Sequence, residues 1–146
     1  MTTPLYTRDI LRLAASIPHL GRLAEAQASV EKRAPVCGSS VTVDLALDDE
    51  GRVTALGQEV KACAFGQASA ALMGAQAPGR SPEELAAARD ALAGWLAGTR
   101  DDPGSWPGLD ALAPARRLTA RHGAILLPFQ AVAEAAALAA REAVRS

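Results

Sequence analysis

Apolar and polar residues alternate most regularly at 41–48, where Val41, Val43, Leu45 and Leu47 are interleaved with Thr42, Asp44, Ala46 and Asp48. A period of two is that of a strand with one buried face. Asp48-Asp49-Glu50-Gly51 then reads as a turn. A second strand follows from Arg52 to Val60, with Val53, Ala55, Gly57 and Glu59 on one face and Thr54, Leu56, Gln58 and Val60 on the other. Weaker alternation over 24–32 predicts a third strand, and residues 34–38 a loop holding Pro35 and Gly38.

Elsewhere the period lengthens. Ile10, Leu11, Leu13, Ala14 and Ile17 share one face of a helix over 7–17, with Thr7 as its N-cap and Pro18 and Gly21 ending it. Phe65, Ala68, Ala71, Leu72 and Ala75 predict a helix opening close to Cys63 and broken at Pro78-Gly79-Arg80. Ser81-Pro82-Glu83-Glu84 is a helix start: serine cap, proline in the first turn, acids behind it. That helix runs to about Ala97 and stops near Gly98; a loop over 101–108, a short helix over 109–113 and a long alanine-rich helix over 124–144 complete the pattern. Together these elements predict one α+β domain over 1–146, a three-stranded antiparallel sheet with helices packed on one face.

Composition narrows the function classes. Fifteen basic residues against sixteen acidic ones leave no broad basic footprint for nucleic acid or membrane, and 3% aromatic content leaves few stacking platforms. No run of 18 uninterrupted apolar residues occurs; 124–140 is broken by Gln130 and Glu134. The start, Met1-Thr2-Thr3-Pro4-Leu5-Tyr6, has no basic segment leading into an apolar run, so a cytoplasmic location is expected. In a reducing compartment two cysteines point to reactive or metal-binding thiols rather than a structural disulfide.

Those cysteines carry the chemistry. If the hairpin folds about its acidic turn, facing residues sum to about 100, and Cys37 with Cys63 meets that condition. Both thiols would then stand at one end of one ladder, roughly 5 Å apart at the backbone. Cys63 precedes a helix N-terminus, where open amides favour thiolate, and Gly38 lets amides approach Cys37. Two small buried hydrophobes are the plain alternative.

Ala34-Pro35-Val36-Cys37-Gly38-Ser39 before a Val-Thr-Val-Asp-Leu strand resembles the first cysteine motif of the iron–sulfur cluster assembly scaffolds of the NifU/IscU/SufU type. Ala62-Cys63-Ala64-Phe65-Gly66-Gln67-Ala68-Ser69-Ala70 resembles their second, and Arg121 with Leu127-Pro128-Phe129 resembles the third motif of the SufU-like branch by position. The chain departs from the pattern twice: Ser39 stands where the family carries an aspartate, and Gly123-Ala124, with Ala124 on a gapless reading, where it carries a third cysteine.

The resemblance implies a non-enzymatic scaffold that takes sulfur from a cysteine desulfurase, holds iron or an Fe–S cluster transiently and passes it to acceptor proteins, with zinc as another possible metal and a homodimer as one possible assembly. It implies Cys37 and Cys63 as thiolate ligands or persulfide carriers, and His122 as an auxiliary ligand after a shift of helix register. The missing ligands keep two alternatives open: a metal-free adaptor or regulator of Fe–S assembly, and a zinc-dependent sulfurtransferase. The remaining candidates read as structural. His19 is a loop residue; Asp44, Asp48, Asp49 and Glu50 are a solvated acidic tip; Arg116, Arg117 and Arg121 are a solvated face; Trp95 and Trp106 pack the Gly/Pro loop.

Overall fold

A computed structural model describes residues 7–35 and 38–145. Its order is α1 (Arg8–Ala14), β1 (Ala28–Arg33), β2 (Ser40–Leu47), β3 (Val53–Lys61), α2 (Ala64–Gln76), α3 (Pro82–Ala97), a 3-10 helix (Leu109–Ala115) and α4 (Thr119–Arg145). The three strands form one antiparallel sheet in the order β1-β2-β3, as the alternation predicts.

The hairpin register is 101 rather than 100. From Ser40↔Lys61 to Ala46↔Ala55 the paired numbers sum to 101; beyond an irregularity at Ala46/Leu47, the pair Leu47↔Val53 sums to 100. The extra residue is a bulge, and it explains a switch of face that simple alternation misses. Val53 is buried beside Leu47, yet Leu56 and Gln58, of opposite parity, are buried opposite Leu45 and Val43. At the tip, Asp48 is not merely solvated: its Oδ1 accepts from the amides of Glu50 and Arg52.

α4 packs across β1 and β2 and is flanked by α2 and α3. Its Ala131, Ala135, Ala136 and Ala139 are fully buried, so the helix comes down closely on Val41, Val43 and Leu45. Long and apolar enough to cross a membrane by composition, α4 is instead largely buried inside the domain. It begins at Thr119, five residues before the predicted start, so His122 falls in its first turn.

α2 meets α4 through small residues. A Cβ on Gly66 would lie 3.3 Å from the Ala124 Cβ, and Ser69 donates its hydroxyl to the Ile125 carbonyl at 2.6 Å. α3 starts with the expected capping box, Ser81 and Glu84 each accepting from the other's amide, and ends at left-handed Gly98 (φ 84°).

On the opposite sheet face Arg22 and Leu23 lie over Asp44, after residues 19–21 have run along the edge of β3, where the Gly21 amide donates to the Gln58 carbonyl at 2.8 Å. Arg22 donates to Asp44 through Nε (2.7 Å) and Nη2 (3.1 Å), the Leu23 amide donates at 3.0 Å and Ser29 Oγ at 2.6 Å. Asp44, read from sequence as part of a solvated tip, is therefore a buried anchor. Gly57 stands opposite it in the ladder, where a Cβ would come 2.6 Å from the Gly21 carbonyl oxygen. Only glycine admits so close a strap.

Candidate thiol site at the sheet end

Three segments converge where β1 and β3 end and β2 begins. The first is the β1–β2 loop: the Ala34 amide donates to the Ser39 carbonyl at 2.8 Å, and the amide of Gly38, at φ 71°, donates to the Ala34 carbonyl at 3.1 Å. These bonds hold Ala34, Gly38 and Ser39 together at that end. Cys37, predicted as the first thiol, lies outside the described residues. Extended past Ser40↔Lys61, the observed register sets position 38 opposite position 63.

The second segment is the entry to α2. Cys63 is its N-cap, with extended backbone (φ −66°, ψ 172°) and no side-chain capping bond, so its sulfur is not spent on the helix. It is a free thiol, half-buried against the core. The carbonyl of Cys63 accepts from the Gln67 amide, and Gln67 Nε2 reaches back to the Ala62 carbonyl at 2.9 Å. That brace fixes the chain on both sides of the cysteine. The open amides of the first helical turn lie at the same place.

The third segment is the first turns of α4. A Cβ on Gly123 would lie 3.5 Å from the Ala34 Cβ, and Ala124 sits against Gly66, one turn into α2 from Cys63. The position that the family motif gives to a third cysteine is thus at the site, but holds a buried methyl group. Gly66 is what lets the two helices approach here; its signal in the sequence was a glycine inside a helix, where alanine is favoured by about 1 kcal/mol.

His122 stands differently. Its Nε2 lies 3.0 Å from the Ala115 carbonyl and 2.9 Å from that of Arg116. Two carbonyls can only accept, so Nε2 carries the proton, and the ring closes the end of the 3-10 helix. Only Nδ1 retains a lone pair. Ser39 is buried, with a hydroxyl in place of a carboxylate. Among the described residues no group of three His, Cys, Asp or Glu side chains could hold a metal ion. The described residues therefore supply one thiol, Cys63, and no closed four-ligand site.

Of the basic run, Arg116 is not part of a solvated face: its guanidinium lies 5.0 Å from the Trp95 ring centroid and donates to the Trp95 carbonyl. Trp106 packs the loop as expected, donating to the Leu72 carbonyl at 2.9 Å and meeting Phe129 edge-on at 5.3 Å.

This arrangement defines a class: a small α+β domain that closes one sheet end with the β1–β2 loop and a helix that Cys63 opens. Residues 5–99 match the family model of the NifU-like N terminal domain. The structure of a nitrogen-fixing NifU-like protein (N-terminal) from Brucella abortus is 37% identical, with a TM-score of 0.89 over 94% of this chain and 96% of that one. The chain belongs to the NifU-like N-terminal domain family. A putative iron–sulfur cluster assembly scaffold protein for the SUF system from Fervidobacterium islandicum AW-1 shares the fold, with a TM-score of 0.79 at 21% identity over 90% of this chain and 96% of that one. A search of curated proteins finds no match.

Proposed function

We propose that this protein is a scaffold-like participant in iron–sulfur cluster assembly that acts through two thiols, Cys63 and Cys37, and is not itself an enzyme. The observation that carries this reading is the N-cap placement of Cys63: half-buried, uncommitted to capping, and at the sheet end where the Cys37 loop closes. Family membership supports the same reading.

The simplest chemistry available to a lone accessible thiolate is sulfur acceptance. The Cys63 thiolate attacks the outer sulfur of a persulfide on a cysteine desulfurase, one S–S bond forms as another breaks, and the donor leaves as a thiolate. The proton released by Cys63 ends on that donor thiol, so no outside oxidant is needed. Iron or a cluster is cargo in this scheme, held by Cys63 and Cys37 and passed to acceptor proteins. With two thiolates per chain and no third ligand at Ala124, that cargo is held loosely.

The test is mass spectrometry after incubation with a cysteine desulfurase and free cysteine, alongside anaerobic reconstitution with iron and sulfide. A +32 Da adduct on wild type that Cys63→Ala abolishes, together with loss of Fe–S absorbance in that variant, is expected. Wild-type adduct and absorbance in both Cys63→Ala and Cys37→Ala would remove the two-thiol reading, and absence of both signals in the wild type would leave the metal-free adaptor, which the alanine at 124 and the commitment of His122 Nε2 favour.

A further inference from the structure

A second concave site lies on the α3 side of the domain. It is a cavity of about 260 Å³ between α3 and the loop 100–106, with Ala88 and Ala91 as its floor and exposed Ala87 at its edge. Its wall is Ser105 and Trp106, and Arg80 and Arg100 stand at its rim. The Trp106 indole is anchored at Leu72, nine residues along α2 from Cys63, about 13 Å at 1.5 Å per residue. The cavity is therefore separate from the thiol site.

Its polar groups are set but not exhausted. Arg80 lies 5.0 Å from the Trp106 ring centroid and donates through Nε to the Gln76 carbonyl (3.1 Å) and through Nη1 to Glu84 (3.3 Å). Among the described residues nothing engages its Nη2. Arg100 donates through Nη2 to Asp102 at 3.2 Å, and among the described residues its Nε and Nη1 have no partner. Glu84, also at the cavity, is shared with Arg52 at 2.9 Å, and Asp102 is spent on Arg100 and the Gly104 amide. Of the groups that line the cavity, two guanidiniums, Arg80 and Arg100, stand against one carboxylate, Glu84.

We propose that this cavity binds a single carboxylate on a short aliphatic stem, its oxygens taken by the free donors of Arg100 and Arg80 and its carbons lying over the alanine floor beside Trp106. Planar guanidinium donors match a carboxylate's two oxygens, and a cavity of about 260 Å³ admits a four-carbon acid together with a few waters.

Titration of butyrate into ¹⁵N-labelled protein, followed on the Trp106 indole and Ser105 amide resonances, tests this. A saturable shift with a midpoint on the order of millimolar is expected. Butyramide, equal in shape and uncharged, should bind at least tenfold more weakly. Arg100→Gln should weaken butyrate at least fivefold, and Ala88→Leu, which fills the floor with a good helix former, should abolish the shift while the remaining spectrum stays folded. A blocked glutamate derivative assigns the source of the carboxylate: tighter binding than butyrate means a glutamate side chain of a partner, weaker binding means a free acid. No saturable shift, equal binding of butyramide, or unchanged affinity in both variants would overturn the assignment.

Discussion

Ser69 Oγ and the carbonyl oxygen of Ile125 lie 2.6 Å apart in the buried seam between α2 and α4. The bond sits where α4 is weakest. Pro128 has no N–H to give to the carbonyl of Ala124 four residues earlier, and its ring crowds that turn. Ser69 ties the neighbouring carbonyl to α2, while Gly66 takes in Ala124 one turn back. The helix that Cys63 opens is thereby clamped to the helix that carries position 124. Ser69→Ala should cost about 1 kcal/mol in urea unfolding, the typical net worth of one buried hydrogen bond. An unchanged midpoint would show that the seam is held by packing alone.

The Asp44 anchor gives a pH-dependent prediction. Burial alone would raise its pKa, but the hydrogen bonds from Arg22, Ser29 and the Leu23 amide outweigh burial and hold it below the ordinary aspartate value. A carboxylate depressed in the folded state contributes stability that is fully present above its unfolded pKa, about 3.9, and is lost as pH falls through the lower native value. Asp44→Ala should cost about 2 kcal/mol at pH 7, because it removes a buried, charged acceptor shared by Arg22, Ser29 and the Leu23 amide. The gap between wild type and variant should narrow steadily below pH 4. A gap that is constant down to pH 2 would mean that the carboxylate charge plays no part.

His122 distinguishes a ligand from a cap. Its Nε2 is held by the Ala115 and Arg116 carbonyls, so His122→Ala should lower stability by about 1 kcal/mol and leave iron or zinc stoichiometry unchanged. Metal analysis of the variant after anaerobic reconstitution decides between the roles. Loss of bound metal with unaltered stability would return His122 to the ligand set.

Ala124 is the position at which a ligand can be restored. It is fully buried and adjoins Gly66, one turn from Cys63. Ala124→Cys should raise zinc affinity by roughly a hundredfold in competition with a chromogenic chelator, because a third thiolate completes a set that two cannot hold tightly. An affinity equal to wild type would show that the sulfur at 124 points away from Cys63.

Much of this was legible in local chemistry. Thr7 and Ser81 cap the helices they were expected to cap, since an N-cap acts within three residues of itself. The β2 alternation and the glycine at 51 gave the hairpin, and the two cysteine motifs gave the family before any coordinates did. The register slipped by one because a bulge at the tip depends on which of Val53 and Leu56 reaches the core, and both do. The start of α4 was placed too late because residues 119–123 have little apolar periodicity; tertiary contacts through His122 and Gly123 hold them in the helix.

Residue order alone thus determined the strands, the caps, the cysteine-led helix and the kinship, each set by interactions spanning a few positions. Partners far apart in sequence were decided only when the chain folded: Arg22 and Leu23 on Asp44, Ser69 on Ile125, Gly66 against Ala124, and Arg80 and Arg100 on one cavity. Periodicity reports which face of an element is buried. It carries no information about which distant atom waits on the other side, and burial gives these polar pairs their strength.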